Sequence, residues 1–149
     1  MNRYVTDANV IFSSLISGKD NYLELVSINR LYLPDFALVE LQEYQQIIWE
    51  KTKQNPDELK AFTLALFDKI TVVPNLLISL PNYRTAYELC KDIDPKDMTY
   101  VALSIELAYP LLTRDKPLAD GLRAKGFASI VTLDELFRQR KPNSTNDPQ

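Results

Sequence analysis

The sequence has 149 residues, 46% of them hydrophobic and 25% charged, which are the proportions of a globular domain with a substantial core. It contains no histidine and one cysteine, Cys90, so Ser-His-Asp and Cys-His catalysis, histidine zinc sites and internal disulfide bonds are excluded. Any bound metal must be held by oxygen atoms, which favours Mg²⁺ or Mn²⁺.

The net charge of −3 is unevenly distributed along the chain. Residues 1–109 carry 10 basic and 15 acidic side chains, whereas residues 110–149 carry 7 basic and 5 acidic ones. A basic C-terminal third beside an acidic pocket could bind a polyanion, but charge alone favours a solvated surface. No apolar run approaches the roughly 18 residues of a membrane span, and there is no secretory pattern, so the expected location is the cytoplasm, away from membranes.

The apolar spacing predicts strands that alternate with helices. The predicted strands cover residues 3–6, 31–33, 70–73, 111–113 and 129–131. The predicted helices run from about residue 8 to 18, 22–29, 34 to about 53, 56–68 with Asn55 as its cap candidate, 82–91, from Pro95 through the apolar run that follows it, 118–125 and 133–140. This alternation predicts an α/β fold with a mostly parallel sheet covered on both faces. We expect one domain over residues 1–140 and a polar, disordered tail over 141–149; no local signal predicts the strand order.

Three aspartates fall at predicted helix starts, and two of them directly follow strands. Asp7 follows the first strand, Asp115 follows the fourth, and Asp97 opens the helix behind Asp94-Pro95. Each could simply cap a helix. Asp94 is fully explained as a cap before Pro95, so Asp97 is the better ligand candidate. Because parallel strand ends share one edge, carboxylates gathered there would repel one another, and a cation would remove the conflict.

Glu40 lies on the wrong face of its predicted helix for a solvated acid. The apolar face of that helix consists of Phe36, Ala37, Leu41, Tyr44, Ile47 and Ile48. Counted at about 100° per residue, Glu40 falls within the same arc. A buried carboxylate needs a partner, so the sequence predicts either a salt bridge to a lysine or arginine or a metal ion at Glu40.

Taken in order, these four acids resemble the motifs of the PIN domain family. They are Asp7 in VTDANVIFSSLIS, Glu40 in LVELQEY, Asp97 in DPKDMTYVALSIEL and Asp115 in PLLTRDKPL. The resemblance extends from residue 4 to about 133 and, within the family, is to VapC-like toxins and related nucleases. It implies a three-layer α/β/α sandwich and a metal-dependent endoribonuclease whose Mg²⁺ or Mn²⁺ is bound by these four acids.

The same resemblance implies supporting residues and partners. Asp94 and Thr113 would support the site, and Asn9 and Ser13, near the first acid, could orient a ligand or a water molecule. RNA is the implied substrate, a small antitoxin protein the implied partner, and a homodimer the expected assembly. Metal-assisted hydrolysis requires no protein nucleophile, which agrees with a chain that lacks histidine.

Two other functions are compatible with the residues. An aspartyl-phosphate phosphatase would use Asp7 as its nucleophile, but phosphatases of the haloacid dehalogenase type place a second acid two residues later, where this chain has Asn9. A non-catalytic module would retain the fold, use its acids only as helix caps, and bind RNA or another protein.

Overall fold

The computed structural model describes residues 2–140, with only the main chain of Arg140. Within this range, five strands form a single sheet, and every neighbouring pair is parallel. The strands are β1 (Asn2–Thr6), β2 (Asn29–Pro34), β3 (Ile70–Val73), β4 (Leu111–Thr113) and β5 (Ile130–Thr132). Their order is β3-β2-β1-β4-β5. The predicted parallel sheet is confirmed, whereas the tail predicted over 141–149 lies outside the described residues.

Helices cover both faces of the sheet. The helices of the described range are α1 (Ala8–Ser17), α2 (Asp20–Ile28), α3 (Phe36–Glu43), α4 (Gln45–Lys51), α5 (Pro56–Asp68), α6 (Leu80–Cys90), α7 (Met98–Leu107), α8 (Lys116–Ala124) and α9 (Leu133–Arg140). One layer contains α1 packed on α3, α4 and α5, and the other contains α6 packed on α7. Right-handed crossovers require this division, because the chain runs outwards from β1 in one direction and from β4 in the other. No helix between residues 2 and 140 is long and apolar enough to cross a membrane.

The centre of the core lies where α7 covers the sheet. This helix contacts β1, β2 and β4, and its residues 100–104 are all buried. On the central strands Val5, Leu33 and Leu111 are fully buried, as expected for parallel strands covered on both faces. The ends of β1 and β4 are therefore held rigidly, and the residues that follow them have fixed positions.

The helix predicted from residue 34 to about 53 is wrong, because the chain forms two helices that meet at Tyr44. This residue has φ −97° and ψ 10°, away from regular helical values, and its N–H donates to the carbonyl of Glu40 at 3.3 Å. No proline or glycine marks the break. Ala37 and Ile48 are buried, as predicted, but Tyr44 is 46% and Ile47 37% exposed.

The helix predicted from Pro95 begins three residues later as α7, behind a 3-10 turn over Pro95–Asp97, and the other elements agree with the sequence to within about two residues. The predicted starts of α6 and α8 are late because both helices begin before a proline, Pro81 and Pro117, in their first turn. The predicted cap at Asn55 is present as a full capping box with Glu58, in which each side chain accepts the backbone N–H of the other residue.

Candidate active site

A cavity of about 420 Å³ opens beyond the carboxyl ends of β1 and β4. The acidic residues of its lining are Asp7, Glu40, Asp94, Asp97 and Asp115. The structure thus places all four sequence-predicted site acids, and the supporting acid Asp94, around one space. In an open parallel sheet, this is the edge where ligands bind.

Asp7 directly follows β1, and three hydrogen bonds hold its carboxylate. It caps α1, where its Oδ1 accepts the backbone N–H of Asn9 at 3.2 Å. Its Oδ2 accepts from the Thr113 hydroxyl at 3.1 Å and from the Asn9 side-chain amide at 3.2 Å. Burial, and to a smaller extent the charges of Glu40 and Asp115, raise the pKa of Asp7 to about 6, even though the bonds from the Asn9 N–H and from Thr113 favour the ionised form. Asp7 is therefore both a helix cap and part of the cavity.

Asp97 is the acid that the fold explains least. It lies at the end of a short 3-10 turn, Pro95–Asp97, and its side chain does not cap α7. Its exposed fraction is 8%, and its Oδ2 is buried with no hydrogen-bond partner among residues 2–140. Burial, and then the charges of the other four cavity acids, raise the pKa of Asp97 to about 8. Asp94 acts instead as a cap, with Oδ1 accepting the Lys96 N–H at 3.0 Å.

Glu40 faces the cavity from α3 and is bound by a tyrosine. Tyr100, on α7, is 1% exposed, and its hydroxyl donates to Glu40 Oε1. Burial and this hydrogen bond raise the pKa of Tyr100, so that the hydroxyl remains a donor. The salt bridge that the sequence left open is not formed, since no lysine or arginine in the described part of the chain pairs with Glu40.

Asp115 and Thr113 join β4 to the site. Asp115 Oδ1 caps α8 by accepting the Leu118 N–H at 3.0 Å, and the Asp115 N–H donates to the Thr113 hydroxyl at 3.0 Å. Thr113 is fully buried and donates in turn to Asp7. One threonine hydroxyl thus links the two strand-end aspartates, which gives a structural basis for the support predicted for it.

Asn9 and Ser13 contact different neighbours. Asn9 lines the cavity, holds Asp7, and accepts the backbone N–H of Arg114 at 3.1 Å through its Oδ1. Ser13 lies one turn later on α1, and its hydroxyl accepts from the Arg114 guanidinium. Both polar ends of the Asn9 side chain are therefore bound within the protein, whereas Ser13 binds the Arg114 side chain, which lines a different cavity.

The donor set suits a hard divalent cation. No three acidic side chains between residues 2 and 140 are close enough to form a ready-made set of metal ligands. Mg²⁺, however, commonly keeps several water molecules and binds through one or two carboxylates. The unpartnered oxygen of Asp97 and the mutual repulsion of the acids are both conditions that a cation would relieve. Mg²⁺ or Mn²⁺ held partly through water therefore fits these residues.

Sequence reasoning missed four residues of the site. Tyr100 looked like a core residue within an apolar helix, although its hydroxyl in a buried run was a signal that it needed a polar partner. Phe12 and Tyr44 line the cavity as an edge-to-face pair, with ring centroids 5.4 Å apart. Lys96 lines it from the 3-10 turn. Tyr44 lies four residues after Glu40, a spacing that already indicated a shared helix face.

Comparison with known proteins agrees with this geometry. The profile of the PIN domain family matches residues 5–138. The chain belongs to the PIN domain family. PIN domains are generally nucleases, and such nucleases usually use divalent metals. The resemblance drawn from the four acidic motifs is confirmed, and no member of the curated proteins matches the chain.

A solved structure shows the same fold. This PIN domain is similar to VapBC2 from Rickettsia felis bound to a DNA fragment from its promoter, with a TM-score of 0.53. The likeness covers 87% of this chain and 96% of that chain at 16% sequence identity. At this identity it concerns the fold, and it confirms the predicted α/β/α sandwich.

Proposed function

We propose that this PIN domain is a Mg²⁺- or Mn²⁺-dependent endoribonuclease, in which Asp7, Glu40, Asp97 and Asp115 bind the metal and form the catalytic centre. The observation that carries the proposal is the buried, unpartnered oxygen of Asp97 in a cavity lined by five acids. A carboxylate in that position is costly in a protein that never binds a cation there. Membership of a family of nucleases gives the reaction class.

The chain's own residues fix the positions and charges of the acids. A divalent ion supplies polarisation of the phosphate and a water molecule of lowered pKa. Asp7 is fixed by Thr113 and Asn9, and Glu40 is fixed by Tyr100. Without a cation, a pKa of about 8 allows Asp97 to hold its proton at neutral pH, whereas Asp7, with a pKa of about 6, holds its proton only in more acidic solution. Binding of a cation releases those protons, so the affinity for metal rises with pH.

The biological setting we propose is a toxin with a small antitoxin partner. Support comes from the structural neighbour, which is a VapBC toxin–antitoxin structure, and from the VapC-like motifs. We further infer that the chain forms a homodimer, which sedimentation of the purified protein tests directly. RNA, rather than DNA, is the substrate that the resemblance to VapC-like toxins favours.

The test compares two Asp→Asn variants, each of which removes the charge of one carboxylate. Asp97→Asn removes a charge from the cavity, while Asp120→Asn removes one from an exposed ion pair with Lys116 on α8, where little stability is lost. We expect the wild-type protein and Asp120→Asn to cleave single-stranded RNA in Mn²⁺, and Asp97→Asn and chelator-treated protein not to cleave it. Equal cleavage by the two variants, or cleavage that persists in chelator, contradicts the proposal.

A second candidate function is a non-catalytic PIN fold that binds RNA or protein. It is favoured by one observation: Asp7, Asp94 and Asp115 each accept a helix-start N–H, so capping already accounts for them. Calorimetry with Mn²⁺ separates the two functions. A catalytic site binds the ion with release of protons, and a set of caps binds none.

A further inference from the structure

We propose that Phe12 and Tyr44 form a platform on which one unpaired RNA base stacks beside the carboxylate cavity. The inference rests on the proposed ribonuclease function and narrows its substrate to RNA that is single-stranded at the cleaved bond. It assigns a base-binding role to two residues that are not among the proposed metal ligands.

The two rings form the aromatic part of the cavity wall. Their planes are inclined at 68°, and the contact fixes each ring against the other. Phe12 also packs on the hydrophobic core, whereas Tyr44 is 46% exposed. One ring is therefore anchored and the other presents an open surface at the mouth of the cavity.

Helix geometry puts this platform beside the acids. Tyr44 follows Glu40 by one helical turn, at the junction where α3 ends and α4 begins. Phe12 lies on α1, the helix that Asp7 caps. A base on the Tyr44 ring would thus share the cavity with a phosphate held among the acids.

The fold gives Tyr44 no other partner. Its hydroxyl makes no hydrogen bond within residues 2–140, and the edge of Phe12 is the aromatic contact of its ring, so one face of the ring is open. A π-face suits any base, and such stacking is how proteins bind single strands without reading their sequence. In a duplex the bases are already stacked on one another, so a duplex cannot use the platform without being opened.

Lys96 adds charge on the same cavity wall. Its side chain is exposed, and its ammonium group has no ion pair among the described residues. An ammonium group in the same cavity as a stacked base is available to contact a backbone phosphate of the RNA. Lys96 and the aromatic pair together match one nucleotide: the ammonium group would bind its phosphate and the rings would bind its base.

The first test measures binding rather than cleavage. Oligoribonucleotides that contain 2-aminopurine are titrated with protein in the Asp97→Asn background, and quenching of the base reports stacking. We expect Tyr44→Ala to raise the Kd by about 5- to 150-fold and to abolish quenching, the range for loss of one base–aromatic stack. Tyr44→Phe should keep both. Tyr87→Ala, which removes a ring 51% exposed on α6 outside the cavity, is the matched control and should change neither.

The second test locates the base. A single abasic nucleotide is moved along a substrate that the wild-type protein cleaves, and one position next to the cleaved bond should lose as much in kcat/KM as Tyr44→Ala does. In Tyr44→Ala itself, that abasic position should cause no further loss. If Tyr44→Ala and Tyr87→Ala have equal effects on RNA binding, or if no abasic position lowers kcat/KM, the platform is contradicted and the ribonuclease proposal stands. A wild-type protein that neither binds nor cleaves RNA overturns the platform together with the ribonuclease proposal.

Discussion

The hydroxyl of Tyr100 and the carboxylate of Glu40, 60 positions apart in the sequence, form a hydrogen bond between α7 and α3. The tyrosine is buried in the layer that covers the sheet, whereas the glutamate faces the acidic cavity. The carboxylate's orientation is therefore set by the core. Residues that perform chemistry depend on this kind of support, because a misplaced ligand weakens both metal binding and catalysis.

We predict that Tyr100→Phe reduces RNA cleavage about tenfold, within the range for loss of a partner behind a metal ligand. The ring keeps its packing, so stability falls by only about 1 kcal/mol, since the half-buried Glu40 regains hydrogen bonds to water. Rates at saturating Mn²⁺ and urea unfolding measure the two effects. Tyr4→Phe, a buried tyrosine of β1 outside the cavity lining, is the control. A Tyr100→Phe enzyme as active as Tyr4→Phe would contradict a positioning role.

The raised pKa values of Asp7, about 6, and Asp97, about 8, predict how stability depends on pH without metal. An acid whose pKa is higher in the folded than in the unfolded state binds its proton more tightly when folded. Its contribution to the free energy of unfolding is fully present below about pH 4 and is lost as the pH rises to its folded pKa. In chelator, the Tm of the wild-type protein should therefore fall between about pH 4 and pH 8 relative to Asp97→Asn.

Addition of Mn²⁺ at pH 8 should raise the wild-type Tm, because a ligand that binds only the folded state stabilises it. Asp97→Asn should respond less, since it lacks one of the proposed ligands. If the Tm of the two proteins in chelator changes with pH in the same way, the pKa of Asp97 is not raised as its burial predicts.

Thr113→Val removes the hydroxyl that links Asp7 to the Asp115 backbone. We expect a loss of about 1–3 kcal/mol, because the Asp115 N–H loses its acceptor and Asp7 loses a buried donor. The pKa of Asp7 should also rise, since the bond from Thr113 favours the ionised form. Mn²⁺ binding should then require a higher pH. Thr113→Ser keeps the hydroxyl and should preserve the pH midpoint of binding, as calorimetry across pH would show.

Asn55→Ala tests stability far from the cavity. Asn55 accepts the Glu58 N–H at 2.8 Å, and its loss from the capping box of α5 should cost about 1 kcal/mol. Cleavage per folded molecule should not change. Thermal unfolding together with a cleavage assay at low temperature checks both, and reduced cleavage by fully folded protein would mean that α5 affects the site.

The sequence predicted those features that have local causes. Short β-branched and apolar runs indicated the strands, and Asn55 with Pro56 indicated where α5 begins. Glu40 was predicted to face inwards because helical spacing can be counted along one segment. Capping rules alone assign Asp94 as a helix cap and leave Asp97 as the ligand candidate. In the structure, only Asp94 of the two caps a helix start with its side chain.

Features that depend on contacts between distant segments could not be predicted from the sequence. The strand order depends on which helices pack together, and the break at Tyr44 has no breaker residue to announce it. The hydrogen bond from Tyr100 to Glu40 joins two helices 60 positions apart, and no local pattern predicts such a contact. The sequence pattern also places Tyr44 on the apolar face of one long helix, because nothing in it signals the break that leaves the ring exposed.

The position of β4 beside β1 has a consequence for the protein's synthesis. The Asp7 N–H donates to the Leu112 carbonyl at 3.0 Å, and the hydrogen bond from Thr113 to Asp7 spans 106 positions. A nascent chain on the ribosome therefore carries its first two cavity acids long before it has the strand that completes the cavity. Pairings this distant in sequence form late. Translation itself thus imposes a delay, and a fragment that ends before β4 lacks the strand that closes the acidic cavity.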